Sequence, residues 1–157
     1  MLLNPYWVAG FVDGEGCFYV GINKNTTMAS GYQILPELRI VQHERDIKLL
    51  YALKEFWGAG VVRVNHEYRY ELRIRDIAAL SEKVIPFFEK YQLQTQKRFD
   101  FMKFKKIISW MHDQKHLSRE GIIRIIAVAA QMNRRQKYKA LAIERELQMD
   151  KDKVHTC

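Results

Sequence analysis

The spacing of apolar residues near the start of the chain predicts a short helix. Asn4 followed by Pro5 is typical of a helix start, because the asparagine side chain can cap the first turn and proline has its φ already fixed. Residues 6–13 continue the pattern. Gly14 and Gly16 are expected to end the helix, since glycine is the usual residue at a helix C-terminus.

Four later segments alternate between apolar and polar residues, which is the pattern of half-buried β-strands. The strands are expected at residues 17–24, 33–42, 61–65 and 68–75. Pro36 in the second strand favours an edge position or a bulge, and a turn around His66 and Glu67 should join the last two strands. The apolar set of that hairpin, which should face inward, is Val62, Val64, Tyr70, Leu72 and Ile74.

Helical periodicity accounts for most of the remaining chain. One helix is expected at residues 46–57, and another should follow the last strand and end near Pro86. From Thr95 onward the pattern is helical, with breaks near residues 114–118 and near residue 133. The order of helix, two strands, helix, two strands and further helices predicts an α+β fold whose four-stranded sheet has one apolar face against helices.

Composition limits the class of protein. The chain has 157 residues, 48% of them hydrophobic, and no internal repeat or linker is visible, so a single domain over residues 1–157 is expected. Cys17 and Cys157 form neither a disulfide framework nor a zinc motif, which favours a reducing compartment. The apolar N-terminal stretch contains Pro5 and runs into acidic residues, so we expect neither a secretion signal nor a membrane partner. A small-molecule substrate is not expected either, because no phosphate-cradling loop or cofactor motif is present.

The charge balance favours a polyanionic partner. Lys and Arg number 26 against 18 Asp and Glu, a net charge of +8. Thirteen basic and three acidic residues lie between Lys90 and Lys139. Lys103, Lys105, Arg134 and Arg135 are the candidates in this region for holding DNA phosphates, although a solvated helix face is the plainer interpretation of such a run.

The outward positions of the predicted sheet carry a second set of polar residues. Arg, Asn, Gln and Glu side chains can read base edges in the major groove of DNA, and a β-ribbon fits that groove. The alternative is an ordinary solvated sheet face with charges paired across strands. The candidate DNA-binding residues on this face are Tyr19, Asn23, Glu37, Arg39, Arg63, Asn65, Arg69, Glu71 and Arg73.

The first helix carries the most specific motif. The segment Trp7–Gly16 reads WVAGFVDGEG and resembles the motif of the LAGLIDADG homing endonuclease family over its whole length. Further segments between about residues 5 and 135 resemble the same family, namely Leu38–Gln42, Leu93–Arg98, Glu120–Ile122 and Met132–Asn133. The resemblance implies a LAGLIDADG fold of order αββαββα, with a saddle-shaped four-stranded antiparallel sheet and C-terminal helices.

The resemblance also implies an activity and a set of site residues. It points to an intron-encoded, site-specific double-strand DNA endonuclease that uses Mg²⁺, for which Mn²⁺ should substitute. Glu15 takes the place of the metal-binding acid, which is Asp in many members, and the carbonyl of Gly14 is the expected backbone ligand. Gln42 and Lys97 match polar residues around the reacting water and phosphate, with Arg98 as the alternative to Lys97. A helix C-terminus suits this role, because its unsatisfied carbonyls and a carboxylate are good ligands for a hard cation.

A single motif implies that the active form is a homodimer on a long, near-palindromic DNA site. Gly10 and Gly14 are four residues apart, so they lie on one helix face and allow a second backbone to approach closely. We expect the dimer interface to contain Val8, Gly10, Phe11 and Gly14.

Two other functions are compatible with the same motif. An RNA maturase that assists intron splicing would not need Glu15, Gln42 and Lys97, and a non-catalytic DNA-binding regulator should have lost the acid at position 15. Both therefore rank below the endonuclease. An intracellular location is expected, in a chloroplast or mitochondrion, with a prokaryotic cytoplasm as the alternative.

Overall fold

The computed structural model describes the backbone of residues 1–132 and 134–155 and the side chains of residues 1–132 and 140–150. It confirms the predicted α+β class and the order of elements. The helices and strands are α1 (Pro5–Glu15), β1 (Gly16–Lys24), β2 (Tyr32–His43), α2 (Ile47–Trp57), β3 (Val61–His66), β4 (Arg69–Ile74), α3 (Ile77–Ala79), α4 (Ile85–Lys90), α5 (Lys97–His112), α6 (Arg119–Ala129) and α7 (Arg134–His155).

Helix α1 begins as predicted and ends two residues later than predicted. The side chain of Asn4 accepts a hydrogen bond from the Tyr6 amide at 2.9 Å, and Pro5 is the first helical residue. Gly14 is still helical, and the N–H of Gly16 donates to the Val12 carbonyl. A side chain could not replace the hydrogen of Gly16, because a Cβ there would lie 2.6 Å from Val12 Cγ1. The chain can therefore pass from α1 into β1 without a loop.

The four strands form one antiparallel sheet in the order β1-β2-β4-β3. β2 is thus an inner strand, although Pro36 favoured an edge. Pro36 pairs with Val20 of β1, whereas pairing with β4 begins only at Leu38 and Ile74. Proline is tolerated here because this half of β2 has a neighbouring strand on one side only.

The β3–β4 hairpin differs from its prediction in two details. Its turn lies at Glu67 and Tyr68, and Glu67 takes the left-handed conformation with a φ of 48°. Leu72 is buried as expected, but Val64 is 57% exposed instead of facing the core. β3 is the edge strand, and Val64 lies towards the hairpin tip.

The helix after β4 passes Pro86 and does not stop there. The helical turn at Leu80–Val84 is π-helical, and it joins α3 to α4. Pro86 is the second residue of α4 and follows this π-helical turn directly, so the change in helical hydrogen-bond pattern lies immediately before the proline. The helical path therefore continues to Lys90.

One core cluster joins the inner face of the sheet to the helices, from α1 through to α7. Phe18 of β1 lies at its centre, with ring centroids 5.6, 5.4 and 5.1 Å from those of Phe88, Phe101 and Phe104. Leu147 of α7 is also buried in this cluster. The opposite face of the sheet carries the polar residues, and the end of α1 lies where β1, β2 and α5 meet. Within the described part of the chain, no helix is long and apolar enough to cross a membrane.

Candidate active site and DNA-binding face

Two predicted catalytic side chains meet at the end of α1. Glu15 is the last residue of this helix, and its carboxylate is exposed. Gln42, near the end of β2, donates a hydrogen bond from Nε2 to Glu15 Oε2 at 3.4 Å. The antiparallel register brings the two residues together, because Gly16 at the start of β1 pairs with Ile40 of β2.

Lys97, the first residue of α5, reaches the same helix end. Its Nζ donates to the carbonyl oxygens of Val12 and Asp13, at 3.0 and 2.8 Å. A cation is favourable there because the helix dipole places negative charge at the C-terminus. Burial lowers the pKa of Lys97, although the charges of nearby acidic groups, including Asp13 and Glu15, act in the opposite direction. Lys97 therefore lies beside Glu15 as a partly desolvated ammonium.

The structure separates Lys97 from Arg98, the alternative in the sequence. Arg98 turns to another side of α5, where its guanidinium lies 5.9 Å from the centre of the Phe99 ring. It lines a surface cleft with Glu89 and Met102. Of the two basic residues, Lys97 is the one at the end of α1.

Asp13, the first acid of the motif, holds the loop that precedes α5. It accepts hydrogen bonds from the amides of Gln94 and Thr95, at 2.8 and 3.1 Å, and from the Thr95 hydroxyl at 2.5 Å. Burial acts to raise the pKa of Asp13, but the bonds from Thr95 and Gln94 outweigh it, so the pKa is lowered. With its oxygens engaged in this way, Asp13 has a structural role.

The donors at the end of α1 are of the kind that a hard cation prefers. The Glu15 carboxylate and the Gly14 carbonyl are oxygen ligands of the type that Mg²⁺ prefers. However, the described residues contain no group of three or more His, Cys, Asp or Glu side chains that could hold a metal ion. Among the described residues, one copy of the chain thus supplies one available carboxylate at this position, that of Glu15.

The open face of the sheet contains the predicted polar set, but its two glutamates are not accessible. Glu37 and Glu71 lie on this face and are each 0% exposed. Arg39 lies between them, bonded to Glu37 and 3.5 Å from a Glu71 oxygen. Arg63 donates to Glu71, and Arg75 donates to Glu37, each from Nε at 2.7 Å. The face is therefore an arginine–glutamate network, so its charges are paired as the plainer interpretation of the sequence expected.

Other members of the set surround this network. Asn65 donates to Glu71 at 2.8 Å, and the Arg39 guanidinium lies 5.5 Å from the centre of the Tyr19 ring. Burial and the charges of neighbouring arginines lower the pKa of Arg73. Asn23 and Arg69 are exposed towards the ends of their strands.

The sequence interpretation did not select Arg75. The alternation that selected positions 69, 71 and 73 continues to position 75 and could have identified it. Arg75 faces Glu37 across the sheet, because the adjacent residues Leu38 and Ile74 are partners.

The candidate phosphate-binding residues do not form one group. Lys103 lies near Asp100, whereas Lys105 is ion-paired with Glu89. Two residues correspond to about 200° around a helix, so these lysines point to opposite sides of α5. The side chains of Arg134 and Arg135 lie outside the described residues, as does Asn133.

Residues 8–108 match the family model of the LAGLIDADG endonucleases, which is most of the chain and includes the larger part of α1, the whole sheet and most of α5. The chain belongs to the LAGLIDADG endonuclease family.

The chain is similar both to proteins of its own length and to part of longer ones. The crystal structure of the homing endonuclease I-TnaI is 55% identical with a TM-score of 0.84, over 92% of this chain and 99% of that one. The LAGLIDADG homing endonuclease I-SmaMI, solved with cleaved DNA, is 33% identical with a TM-score of 0.83, over 85% of this chain and 45% of that one. I-SmaMI has also been solved on an uncleaved DNA target in the presence of calcium ions.

A longer curated relative is the probable intron-encoded endonuclease 2 of Neurospora crassa. It is 36% identical over 133 residues, which are 83% of this chain. The chain spans only 29% of the length of this relative.

One residue of the predicted dimer interface, Val8, does not lie on the exposed face of α1. Val8 is 0% exposed because it packs into the core of its own chain, so its assignment to a dimer interface was wrong. Trp7 is 45% exposed and stacks on Phe11, with ring centroids 4.9 Å apart. Gly10 and Gly14 lie on the same face, where an added Cβ would have no atom within 4 Å.

Proposed function

We propose that this LAGLIDADG protein is a site-specific endonuclease that hydrolyses double-stranded DNA at the end of α1. The observation that carries the proposal is the convergence of Glu15, Gln42 and Lys97, which come from three different elements, at one helix terminus. A protein that only binds DNA or RNA has no need of an exposed carboxylate and a partly buried ammonium at this point. The relatives, which are named as endonucleases, also favour cleavage over the maturase alternative.

Each site residue has a defined part in this proposal. Glu15 and the Gly14 carbonyl hold a divalent cation, for which we propose Mg²⁺, with Mn²⁺ as a substitute. When bound, that cation supplies Lewis-acid stabilisation of the attacking and leaving oxygens. Gln42 orients the Glu15 carboxylate, because it donates to one of its oxygens. Lys97 places a positive charge beside the scissile phosphate, in a partly buried site where charges interact more strongly than in water.

We propose that two copies of the chain pair through the outer faces of their α1 helices. Trp7, Gly10, Phe11 and Gly14 form the exposed face of that helix, and the glycines allow close approach. A twofold axis between the helices brings the two Glu15 carboxylates near each other. It also places two sheets along one duplex, which calls for a near-palindromic target.

We propose an organellar location, in a chloroplast or mitochondrion. This proposal is supported by the names of relatives, which describe them as intron-encoded endonucleases. One of these relatives is the probable intron-encoded endonuclease Cox1-I1b of Schizosaccharomyces pombe. The natural target would then be the host gene without its intron.

The decisive experiment uses a duplex that carries the joined exons of the host gene. The wild-type protein should cut it in Mg²⁺ and bind it uncut in Ca²⁺. Glu15→Gln should abolish cleavage and keep the affinity within about tenfold, roughly 1.4 kcal/mol, because the carboxylate serves the reaction more than recognition. Cleavage by the glutamine variant at the wild-type rate would refute the assignment of Glu15, and an uncut but bound duplex with the wild-type protein in Mg²⁺ would refute the endonuclease.

A further inference from the structure

The open face of the sheet contains two carboxylates that solvent cannot reach. Glu37 and Glu71 are the charged residues that are fully buried in the described part of the chain. Removing a carboxylate from water is unfavourable unless it is paired and hydrogen-bonded. Exposed polar residues alone would make this sheet face hydrophilic, without any buried carboxylate. The role of Glu37 and Glu71 therefore has to be inferred from the side chains that they contact.

Every oxygen of the two carboxylates is already engaged. Glu37 Oε1 accepts from Arg39, and Oε2 accepts from Arg75 Nε at 2.7 Å. Glu71 Oε1 accepts from Arg63 Nε at 2.7 Å, and Oε2 accepts from Asn65 at 2.8 Å. Although burial acts to raise the pKa of Glu71, the hydrogen bonds from Arg63 and Asn65 outweigh it and the pKa is lowered. Both glutamates are thus committed to holding neighbouring side chains and are not available to accept hydrogen bonds from cytosine.

The three arginines of the network are held in two different ways. Arg39 uses both Nε and Nη2 on Glu37, is 29% exposed and lies over Tyr19, so it is a central structural contact. Arg63 and Arg75 are each held through Nε, and their side chains are 49% and 40% exposed. A guanidinium is rigid and planar, so a carboxylate at Nε binds its side and leaves the terminal Nη1–Nη2 edge for another ligand.

We propose that Arg63 and Arg75 each read a guanine in the target, and that Glu71 and Glu37 are the positioning residues that aim them. This rests on the proposed function, because it concerns recognition by the same DNA-binding face. In the major groove, guanine presents two acceptors, O6 and N7, that match the two donors of an arginine end. A carboxylate fixed at Nε holds the side chain before DNA arrives and reduces the entropy that binding would otherwise cost.

The experiment measures binding in Ca²⁺, without cleavage, to every single-base variant of the target. The wild-type protein should prefer guanine at two positions in each half-site, by about tenfold each. Arg63→Ala should abolish the preference at one of them, and Arg75→Ala at the other. Glu71→Gln should weaken the same position as Arg63→Ala, and adding it to Arg63→Ala should cause no further loss there. Glu37→Gln should likewise weaken the preference at the position that Arg75→Ala affects, and adding it to Arg75→Ala should cause no further loss there.

Two further measurements address chemistry and folding. Replacing either guanine by 7-deazaguanine removes the N7 acceptor, so the wild-type protein should lose affinity and the matching arginine variant should be insensitive. Arg63→Lys and Arg75→Lys retain the charge without the two-donor end and leave the buried glutamates ion-paired. They should weaken the guanine preference, because a lysine lacks the planar pair of donors, with an unchanged salt dependence even if the glutamine variants prove unstable. Glu55→Gln, at an exposed glutamate of α2, is the matched control and should retain both preferences.

The outcomes separate this inference from the proposed function. If the glutamine and lysine variants weaken all target sequences equally and leave both guanine preferences intact, the network is structural only and the inference is wrong. If wild-type protein binds and cuts its target but has no guanine preference assignable to either arginine, the inference fails while the endonuclease stands. If wild-type protein neither binds nor cuts DNA, the proposed function fails and this inference fails with it.

Discussion

Lys97 combines two requirements in one side chain. It stabilises the end of α1 by donating to the Val12 and Asp13 carbonyls, and it places positive charge beside Glu15. Burial lowers its pKa, which would be a disadvantage for a residue that only capped a helix. In the proposed reaction, the same partial burial makes the charge more effective towards the phosphate.

At the scale of single residues, we predict that Lys97→Met lowers the single-turnover cleavage rate by about 100- to 1,000-fold. This is the usual cost of removing one group that stabilises transition-state charge. The measurement uses saturating protein and Mg²⁺, so that a weaker fold or weaker binding does not enter the rate. Arg98→Met is the control, because Arg98 lies over Phe99 on another side of α5. A large loss with Arg98→Met and none with Lys97→Met would reverse the assignment.

At the scale of elements, the active site depends on the attachment of the segment before α5 to α1. The bonds from Gln94 and Thr95 to Asp13 join residues about 80 positions apart in the sequence. They fix the start of α5 relative to the end of α1 and so determine where the Lys97 ammonium lies. The side chain of the motif acid Asp13 thereby helps to position Lys97, whose ammonium also contacts the Asp13 backbone carbonyl.

We predict that Asp13→Asn lowers the free energy of unfolding at pH 7 by roughly 1 to 2 kcal/mol, as charge-assisted hydrogen bonds are lost. Because the pKa of Asp13 is lowered by folding, its contribution is present above its ordinary value of 3.8 and disappears as the pH falls through the folded pKa. Urea unfolding at a series of pH values should therefore show the difference between wild type and variant shrinking below about pH 4. Asp46→Asn, at an exposed aspartate, should stay within about 0.5 kcal/mol of wild type.

Equal stability of the Asp13→Asn variant and wild type at pH 7 would mean that the attachment of the segment before α5 does not depend on the Asp13 charge. A stability difference that persists unchanged at pH 3 would argue that the effect has another origin.

At the scale of the whole molecule, the exposed aromatic residues on α1 matter most. Trp7 is 45% exposed and stacks on Phe11 on the helix that carries the family motif, whereas Tyr6 packs against Tyr91 of its own chain. One core cluster unites the described helices and strands, yet it leaves this face of α1 uncovered. A second copy is the occupant that we propose, because the proposed chemistry requires a second carboxylate.

We predict that the wild-type protein sediments as a dimer at micromolar concentration, and that Trp7→Glu raises the dimer dissociation constant at least tenfold. A charge buried in a helix–helix interface without a partner is strongly unfavourable. Tyr51→Glu is the matched control, because Tyr51 of α2 is an aromatic residue of similar exposure, 53%. A wild-type monomer, with and without DNA, would count decisively against the dimer.

Much of the fold follows from local sequence rules. The Asn4–Pro5 start of α1, the strand alternation and the amphipathic stripe of α2 each depend on neighbours within a few residues, so they were predicted nearly to the correct boundaries. The motif also identified Glu15, and the alternation placed most of the polar residues on the open face. The continuation of the helix past Pro86 was not predicted, because it depends on a π-helical turn that the spacing of apolar residues does not reveal.

The sequence by itself thus determined which elements form and which side chains share a face. Only the tertiary structure decided what each of those side chains touches. Val8 and Trp7 are adjacent in the motif, but packing into the core buries Val8 and leaves Trp7 exposed. Glu37 and Glu71 satisfied the pattern of exposed positions, yet arginines from neighbouring strands cover them. Periodicity gives the direction of a side chain, whereas burial and pairing depend on residues that are distant in the sequence.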